Sequence, residues 1–283
     1  MPPPPEHRIT TLTGFTEAIE DALKASRVLY GDKPAVVNWY RGCGLSVSHE
    51  LKPSLYRHPT ITDANELLEL EITMLEWFRR ESILHQTIPK YIDEEKPELE
   101  LLFFMQHYSV PTRLLDWTMN PFIALYFAVA GAKLDDATGD YKEDAAVWIL
   151  SPNAWNELSL RDMSWGDKGA ITVDDPEKSA YSPRKSPDPL YPHPAAMRGI
   201  ANNTRMFAQK GVFTIFGQQT DPMETAFDVN GYRTESLVKV IIERQHIDTL
   251  MDSVLSIGYT DSVSYPDLHG LAMEMRRTFG FKV

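Results

Sequence analysis

Apolar side chains recur at helical spacing along several stretches of the chain. The strongest case runs from 63 to about 86, where Asp63 and Glu66 form a capping-box pattern ahead of a stripe of Leu, Ile and Phe residues. A segment that begins at Asn120-Pro121 is apolar on every side, which predicts a buried helix. The same spacing predicts further helices over residues 14–30, 97–106, 246–257 and about 266–279.

Runs of Val, Ile and aromatic residues predict strands at 35–40, 146–150, 211–216 and 237–242. Strands and helices do not alternate regularly along the chain, which argues against a doubly wound parallel sheet. The pattern favours an α+β fold. We expect a compact single domain with a central mixed or antiparallel sheet flanked by helices.

The polar and proline-rich stretches predict how this domain is organised. Residues 1–13 include four consecutive prolines and predict a flexible lead-in, so the folded domain is expected to cover 14–283. Residues 151–200 are rich in Pro, Asp, Ser and Gly and show little periodicity. We interpret them as a long loop insertion or lid. It should be ordered, because it carries Trp155, Trp165, Tyr181 and Tyr191.

The composition of the chain argues against several kinds of binding partner and cellular compartment. The formal net charge of -12 argues against nucleic acid or an anionic membrane as the partner. There is no apolar run long enough to span a membrane, and the first residues lack the pattern of a secretory signal. The single cysteine, Cys43, excludes an internal disulfide and a cysteine-rich zinc site, and the histidines show no metal-ligand spacing. A cytoplasmic protein without a metal is expected.

Standard nucleotide and hydrolase motifs are absent, so candidate chemistry rests on local clusters of polar residues. The first is Tyr40-Arg41-Gly42, at the end of a predicted strand. An Arg fork captures phosphate or carboxylate in bidentate fashion, and Gly lets a ligand or another backbone approach closely. The alternative is that Arg41 forms a buried structural ion pair.

The second cluster runs from Gln106 to Thr118 and leads into the buried helix. It carries His107, Arg113 and Asp116, and charges placed there need a partner or a pocket. Alternatives are an Arg113–Asp116 pair that staples the loop, and a His107 that is satisfied within the core. Thr118 precedes the helix start at Asn120, where free N–H groups would favour a phosphate.

The third cluster is the segment 205–213, where Gln209 precedes a predicted strand. The Gln209 amide is suited to hydrogen-bond a ligand hydroxyl. A plain strand-entry turn, with Gly211 for backbone freedom, explains the pattern equally well. If the three clusters converge, Arg41, His107, Asp116 and Thr118 should line one concave site.

At these residues the sequence resembles the FRG-domain family, which is named for an aromatic-Arg-Gly motif. Here that motif is Tyr40-Arg41-Gly42, with Tyr in place of Phe, and four further segments are similar to the family pattern: 51–57, 106–128, 205–213 and 265–272. The resemblance covers about residues 30–275. Members are scattered in bacteria and phages, which implies a role in phage–host conflict, as an antiphage defence protein or a toxin.

The order of elements also resembles the ADP-ribosyltransferase fold. That resemblance implies that Arg41 holds NAD. It also implies that Trp117-Thr118 corresponds to a Ser or Thr strand, followed by a helix with the pattern Ala-x-x-Phe-Ala at 124–128. The fold also has a Glu on a later strand that contacts the nicotinamide ribose. The chain departs from this pattern, because Gln209 stands there; Glu235 is a second candidate without motif support.

The resemblance implies roles for each candidate. The nucleotide would be bound by Tyr40, Arg41, Gly42, Arg113 and Thr118. Protons would be handled by His107 or Asp116, and the ribose would be contacted by Gln209 or Glu235. NAD would be the substrate, with no other cofactor implied.

Three functions compete at this point. One is an enzyme that acts on NAD or a similar nucleotide by glycosyl transfer or hydrolysis. The second is a module that senses a nucleotide or dinucleotide without turnover. The third is a protein-interaction module of a defence or toxin–antitoxin system. The missing Glu favours the sensor and the interaction module over the enzyme. The many polar side chains at 106–118 favour the enzyme and the sensor over the interaction module.

Overall fold

One mixed sheet of seven strands organises the described part of the chain. The computed structural model describes residues 3–31, 37–82, 98–166, 168–183, 190–199 and 204–281. The strands are β1 (Glu6–Ile9), β2 (Trp39–Cys43), β3 (Leu114–Thr118), β4 (Ala145–Leu150), β5 (Ala195–Met197), β6 (Gly211–Ile215) and β7 (Leu237–Ile242). Their order across the sheet is β1-β7-β4-β2-β3-β6-β5. Only the β1–β7 pairing is parallel among these strands, and the α+β class is confirmed.

Ten helices surround this sheet within the described residues. They are α1 (Leu12–Tyr30), α2 (Ala64–Ser82), α3 (Glu98–His107), α4 (Pro121–Ala130), α5 (Pro152–Ser159), α6 (Thr204–Ala208), α7 (Met223–Asn230), α8 (Ile247–Ser256), α9 (Asp261–Ser264) and α10 (Leu268–Thr278). The start of α4 follows its local signals: the Asn120 side chain accepts a hydrogen bond from Phe122 N, and Pro121 occupies the first turn. No helix of the described residues is long and apolar enough to cross a bilayer.

Helix α4 packs unusually close to the central strand β2. A Cβ atom added to Gly42 would lie 2.0 Å from the carbonyl oxygen of Ala124, and one added to Gly44 would lie 2.0 Å from the carbonyl of Gly131. Both glycines therefore let two backbones meet. The sequence prediction left open whether a ligand or a backbone approaches Gly42, and α4 is what approaches it.

Three clusters of buried side chains form the core. The first joins α1, α4 and α8 to one part of the sheet, around Phe15 and Val240. The second surrounds Trp39, Trp117 and Trp155, and the third packs α3 and the region after α5 against β5 and β6. Burial of large aromatic side chains is the main contribution to stability in such clusters.

Two predicted stretches differ from expectation. Residues 6–9 of the predicted flexible lead-in form β1, which pairs with β7 at the sheet edge. The predicted loop of 151–200 contributes α5 and the edge strand β5, and Trp155, Trp165 and Tyr181 are fully or almost fully buried. Its buried aromatic residues are thus part of the core; residues 167, 184–189 and 200 lie outside the described ranges.

Boundaries of the remaining predictions shift by small amounts. The strand expected at 35–40 is found as Trp39–Cys43, and residues 35 and 36 lie outside the described ranges. Residues 83–86 of the long predicted helix and Pro97 of the next one also lie outside them. Helix α7 was not predicted from the sequence.

Candidate functional site

The central sheet divides between β2 and β3. Strand β2 pairs with β4 through five residues, but it pairs with β3 only at Tyr40 and Thr118. Strand β3 is instead paired along its length with β6. Beyond the Tyr40–Thr118 pair the two strands are not hydrogen-bonded as a ladder, and a cavity of about 510 Å³ opens there.

The cavity gathers most of the residues that the sequence singled out. Those that line it are Tyr40, Arg41, Gly42, His107, Asp116, Thr118 and Gln209. Several lining residues carry chemistry that sequence reasoning did not assign: Cys43, His49, Glu50, Ser54, Arg57 and Gln106. The functional roles of all these residues stay predictions.

Arg41 bridges the two sides of the divide. Its Nη1 donates a hydrogen bond of 2.6 Å to the main-chain carbonyl of Asp116. Its Nε atom is buried and has no hydrogen-bond partner among the residues that the structure describes. Leaving this buried donor without a partner is costly.

Arg41, His49 and Arg57 form what we call the cationic wall of the cavity. The pKa of His49 lies below its ordinary value, first because the ring is partly buried and then because Arg41 and Arg57 place positive charge near it. The three side chains also line the same cavity. A wall of this kind favours an anion.

Gln106, His107 and Asp116 also line the cavity, and we call them the carboxylate wall. The amide nitrogen Nε2 of Gln106 donates a 2.6 Å hydrogen bond to Oδ2 of Asp116. The His107 ring contacts the ring of Tyr108 edge-on, with centroids 4.8 Å apart. His107 thus lies at the cavity rather than wholly within the core. A carboxylate and an imidazole at one surface are a suitable pair for proton transfer.

Thr118 and Gln209 tie the end of β3 to the chain before β6. The Thr118 hydroxyl donates to the carbonyl of Gln209 and accepts a hydrogen bond from Asn120 N. The Gln209 amide nitrogen donates to the carbonyl of Ser264 at 2.6 Å. Both residues are therefore anchored where they line the cavity, and the amide nitrogen of Gln209 is engaged by the protein.

The expected anion site at the N-terminus of α4 is not where the cavity lies. Among α4 and its cap, the residues that line the cavity are Phe127 and Gly131, which belong to the carboxyl-terminal half. That end of a helix carries the negative end of the dipole, so it does not favour phosphate. The cationic wall is the better anion site.

Arg113 is placed differently from the prediction. It is fully buried and does not line the cavity, and its Nε donates to Glu71 Oε2 at 2.8 Å. Its other nitrogens donate to the carbonyls of Phe216 and Tyr181. The predicted nucleotide contact is thus replaced by a structural role, and the partner in the ion pair is Glu71 rather than Asp116.

Two other candidates need separate comment. Glu235 lies in a short 3-10 turn before β7 and does not line the cavity, so the geometry gives it no contact with a ligand there. Tyr40 does line it, but burial raises the pKa of its phenol to about 12, so it is neutral near pH 7. Within the described ranges, no group of three or more His, Cys, Asp or Glu side chains is placed to hold a metal ion.

These observations define a class of protein: an α+β domain whose divided central sheet carries an aromatic-Arg-Gly strand at a polar cavity. Residues 37–137 match the family model of the FRG domain, in agreement with the resemblance seen in the sequence. The matched range includes β2, β3 and α4, which surround the divide in the sheet. No curated protein and no solved structure gives a significant match.

Proposed function

We propose that the cavity binds a nucleotide, with its phosphate groups on the cationic wall and a ribose on the carboxylate wall. The observation that carries this proposal is that two guanidinium groups, those of Arg41 and Arg57, line one cavity together with the imidazole of His49. The volume of about 510 Å³ lies within the range typical of small-molecule sites. A dinucleotide such as NAD presents both the anionic and the hydroxyl-rich groups that the two walls suit.

Aromatic side chains support the same ligand class. Phe103, Phe127 and Phe213 line the cavity together with Trp117. Phe103, Phe213 and Trp117 are almost wholly buried, whereas Phe127 is partly exposed. The Phe127 ring is therefore the one that we propose contacts a base or a nicotinamide ring, which neither wall would recognise by charge.

We further propose that the bound dinucleotide is cleaved at its N-glycosidic bond. The bond electrons would leave with nicotinamide, and positive charge would grow on the ribose. Two carboxylates line the cavity, those of Asp116 and Glu50, and we assign the stabilising role to Asp116 because the Gln106 amide orients it there. A water molecule or an acceptor hydroxyl would then attack the ribose and lose its proton to His107.

One observation favours a second candidate, a nucleotide sensor without turnover. The resemblance to ADP-ribosyltransferases places Gln209 where those enzymes use a Glu, and its amide nitrogen is held by Ser264. A neutral side chain orients hydroxyls but stabilises little positive charge. In either case, the family resemblance supports a setting in antiphage defence or toxin activity.

The test is a direct assay with purified protein and NAD. Nicotinamide release is followed by chromatography over hours, and binding of NAD, ADP-ribose and AMP is measured by calorimetry. The matched control is Arg233→Ala, which removes an exposed Arg paired with Glu157 outside the cavity lining. Binding with slow release supports the enzyme, and binding without release supports the sensor. Absence of binding by every nucleotide contradicts the proposal.

A further inference from the structure

A chain of hydrogen bonds behind the carboxylate wall controls Asp116. It starts at the main-chain N–H of Leu114, which donates to the Thr112 hydroxyl at 3.1 Å. The Thr112 hydroxyl donates to Gln106 Oε1 at 2.5 Å, and Gln106 Nε2 donates to Asp116 Oδ2 at 2.6 Å. Thr112 is fully buried, whereas Gln106 and Asp116 line the cavity.

Every link of this chain has a fixed direction. A main-chain N–H can only donate, so Thr112 accepts at its oxygen and has its own proton to donate onward. An ionised Asp116 can only accept, so the nitrogen end of the Gln106 amide must face it. The oxygen end then faces the Thr112 hydroxyl, which donates to it. A flipped amide would set acceptor against acceptor at Asp116.

The main chain is held at both ends of the same segment. The carbonyl of Thr112 accepts a hydrogen bond from Leu55 N at 3.1 Å. The carbonyl of Asp116 accepts the 2.6 Å bond from Arg41 Nη1. The side chain and the backbone of Asp116 are thus restrained from opposite sides, and Arg41 links this segment to the cationic wall.

We propose that Thr112 and Gln106 are positioning residues, which hold Asp116 at the cavity as an ionised carboxylate ready to receive positive charge. The role of Asp116 in this inference rests on the proposed function, whereas the test below measures Asp116 in the free protein. Thr112 does not contact a ligand in the cavity, because its side chain is buried. Thr112 acts on Asp116 only by fixing the orientation of the Gln106 amide group.

The test compares Thr112→Val, which keeps the shape and removes the hydroxyl, with Thr112→Ser, which restores it. Carbon-13 labelling of Asp carboxyl groups lets the Asp116 signal be titrated by NMR, with assignment from its loss in Asp116→Asn. Thr112→Val should move the titration midpoint of Asp116 upward by about one pH unit, because donation by an amide stabilises the ionised form. Thr112→Ser should leave it near the wild-type position.

Two further variants keep the test decisive. Gln106→Leu removes the amide directly and should give the same upward movement, even if Thr112→Val fails to fold. Ser159→Ala removes a buried hydroxyl that donates to Pro194 in another part of the fold, and it should leave the Asp116 midpoint unchanged. An unchanged midpoint in both Thr112→Val and Gln106→Leu overturns the inference. An equal movement in Ser159→Ala also overturns it, since the cause would then be general loosening.

Failure of the proposed function has a different signature. If the midpoint moves as expected while wild-type protein binds neither NAD nor ADP-ribose, the hydrogen-bond chain stands and the nucleotide proposal falls. If wild-type protein releases nicotinamide, Thr112→Val should slow release about tenfold with ADP-ribose affinity within about twofold, the behaviour of a group that acts mainly in the transition state.

Discussion

The guanidinium of Arg41 and the main-chain carbonyl of Asp116 are 2.6 Å apart across the divide between β2 and β3. The two strands share only the Tyr40–Thr118 pair, so this contact links them at the point where the ladder stops. A side chain thereby takes the place of a strand hydrogen bond. Because Arg41 also lines the cavity, it is the first residue to test.

Arg41→Lys should weaken binding of NAD or ADP-ribose at least tenfold while the protein stays folded. Lys retains the charge but supplies no planar fork, and it cannot reach the Asp116 carbonyl and a phosphate in the same geometry. Calorimetry gives the affinity, and circular dichroism reports the fold. Arg233→Lys, at an exposed ion pair, is the control and should bind normally. Unfolding of Arg41→Lys would instead favour the structural ion-pair interpretation.

Glu71→Gln should destabilise the protein by about 3–5 kcal/mol, because it leaves the charge of Arg113 buried without its carboxylate. The two side chains are 1% and 0% exposed, and their ion pair measures 2.8 Å. Urea unfolding measures the loss. The double variant Arg113→Met with Glu71→Leu should recover most of it, since apolar residues of similar volume replace such pairs well. A Glu71→Gln protein of normal stability would contradict the structural role of Arg113.

Gly42→Ala should be destabilised by about 1–3 kcal/mol or more, because the new methyl group would meet the backbone of α4. The added Cβ would lie 2.0 Å from Ala124 O, and backbone atoms cannot move aside as a flexible side chain does. Gly14→Ala is the matched control. A Cβ atom added at Gly14 would lie 3.5 Å from its nearest neighbour, the side-chain oxygen of Thr11, which is an ordinary contact distance. Ala also suits a helix better than Gly. Thermal unfolding of both variants checks the contrast.

Anion binding should be linked to proton uptake by His49. The pKa of His49 is depressed below its ordinary 6.5 by burial and by Arg41 and Arg57, with Lys133 lowering it further and Glu143 opposing. In the free protein this group adds stability above its ordinary pKa, and that stability is lost as pH falls through the depressed value. A bound phosphate offsets the positive charge and raises the pKa of the ring again, so the site takes up protons on binding.

Affinity for ADP-ribose should therefore increase several-fold from about pH 8 to about pH 6, and calorimetry in two buffers of different ionisation enthalpy should detect proton uptake. His49→Gln should abolish the uptake and flatten the pH profile. A wild-type affinity that is independent of pH over this interval would show that no anion reaches the ring.

Local signals predicted the elements whose stability comes from nearby residues. Helix α4 begins at Pro121 behind its Asn120 cap, and β7 is found at Leu237–Ile242 as its alternation of Val and Ile predicted. Strand β1 was missed because only Ile9 of its four residues is buried. Its pairing with β7 joins positions more than two hundred residues apart, and no local pattern encodes that contact.

The same limit explains which residues of the candidate site could be predicted from the sequence. Arg41 could be found because an Arg followed by a Gly directly after an aromatic run is unusual by itself, although the strand continues past it to Cys43. His49 and Arg57 became relevant only when folding brought them beside Arg41. Arg113 was assigned to the ligand because its neighbours are polar, yet its carboxylate partner lies 42 positions earlier, on α2. Sequence reasoning recognises a residue that needs a partner, but it does not identify the partner.

Asp116→Asn and His107→Ala should separate the enzyme from the sensor. If NAD is cleaved, the developing ribose cation needs a negative group, and Asn keeps the size of Asp116 without its charge. Nicotinamide release should then fall at least a hundredfold in Asp116→Asn, and about 10²–10⁴-fold in His107→Ala where proton transfer limits the rate.

The affinity for ADP-ribose distinguishes these losses in release rate from structural damage. ADP-ribose affinity should stay within a few-fold in both variants, because phosphate is held by the cationic wall. Gln209→Ala should weaken affinity and leave the release rate of bound NAD largely intact, since a neutral amide contributes to orientation rather than to charge stabilisation. If Asp116→Asn releases nicotinamide at the wild-type rate, then Asp116 is not the stabilising carboxylate. If wild-type protein binds NAD and leaves it intact over hours, the sensor replaces the enzyme, and the carboxylate wall serves recognition of the ribose.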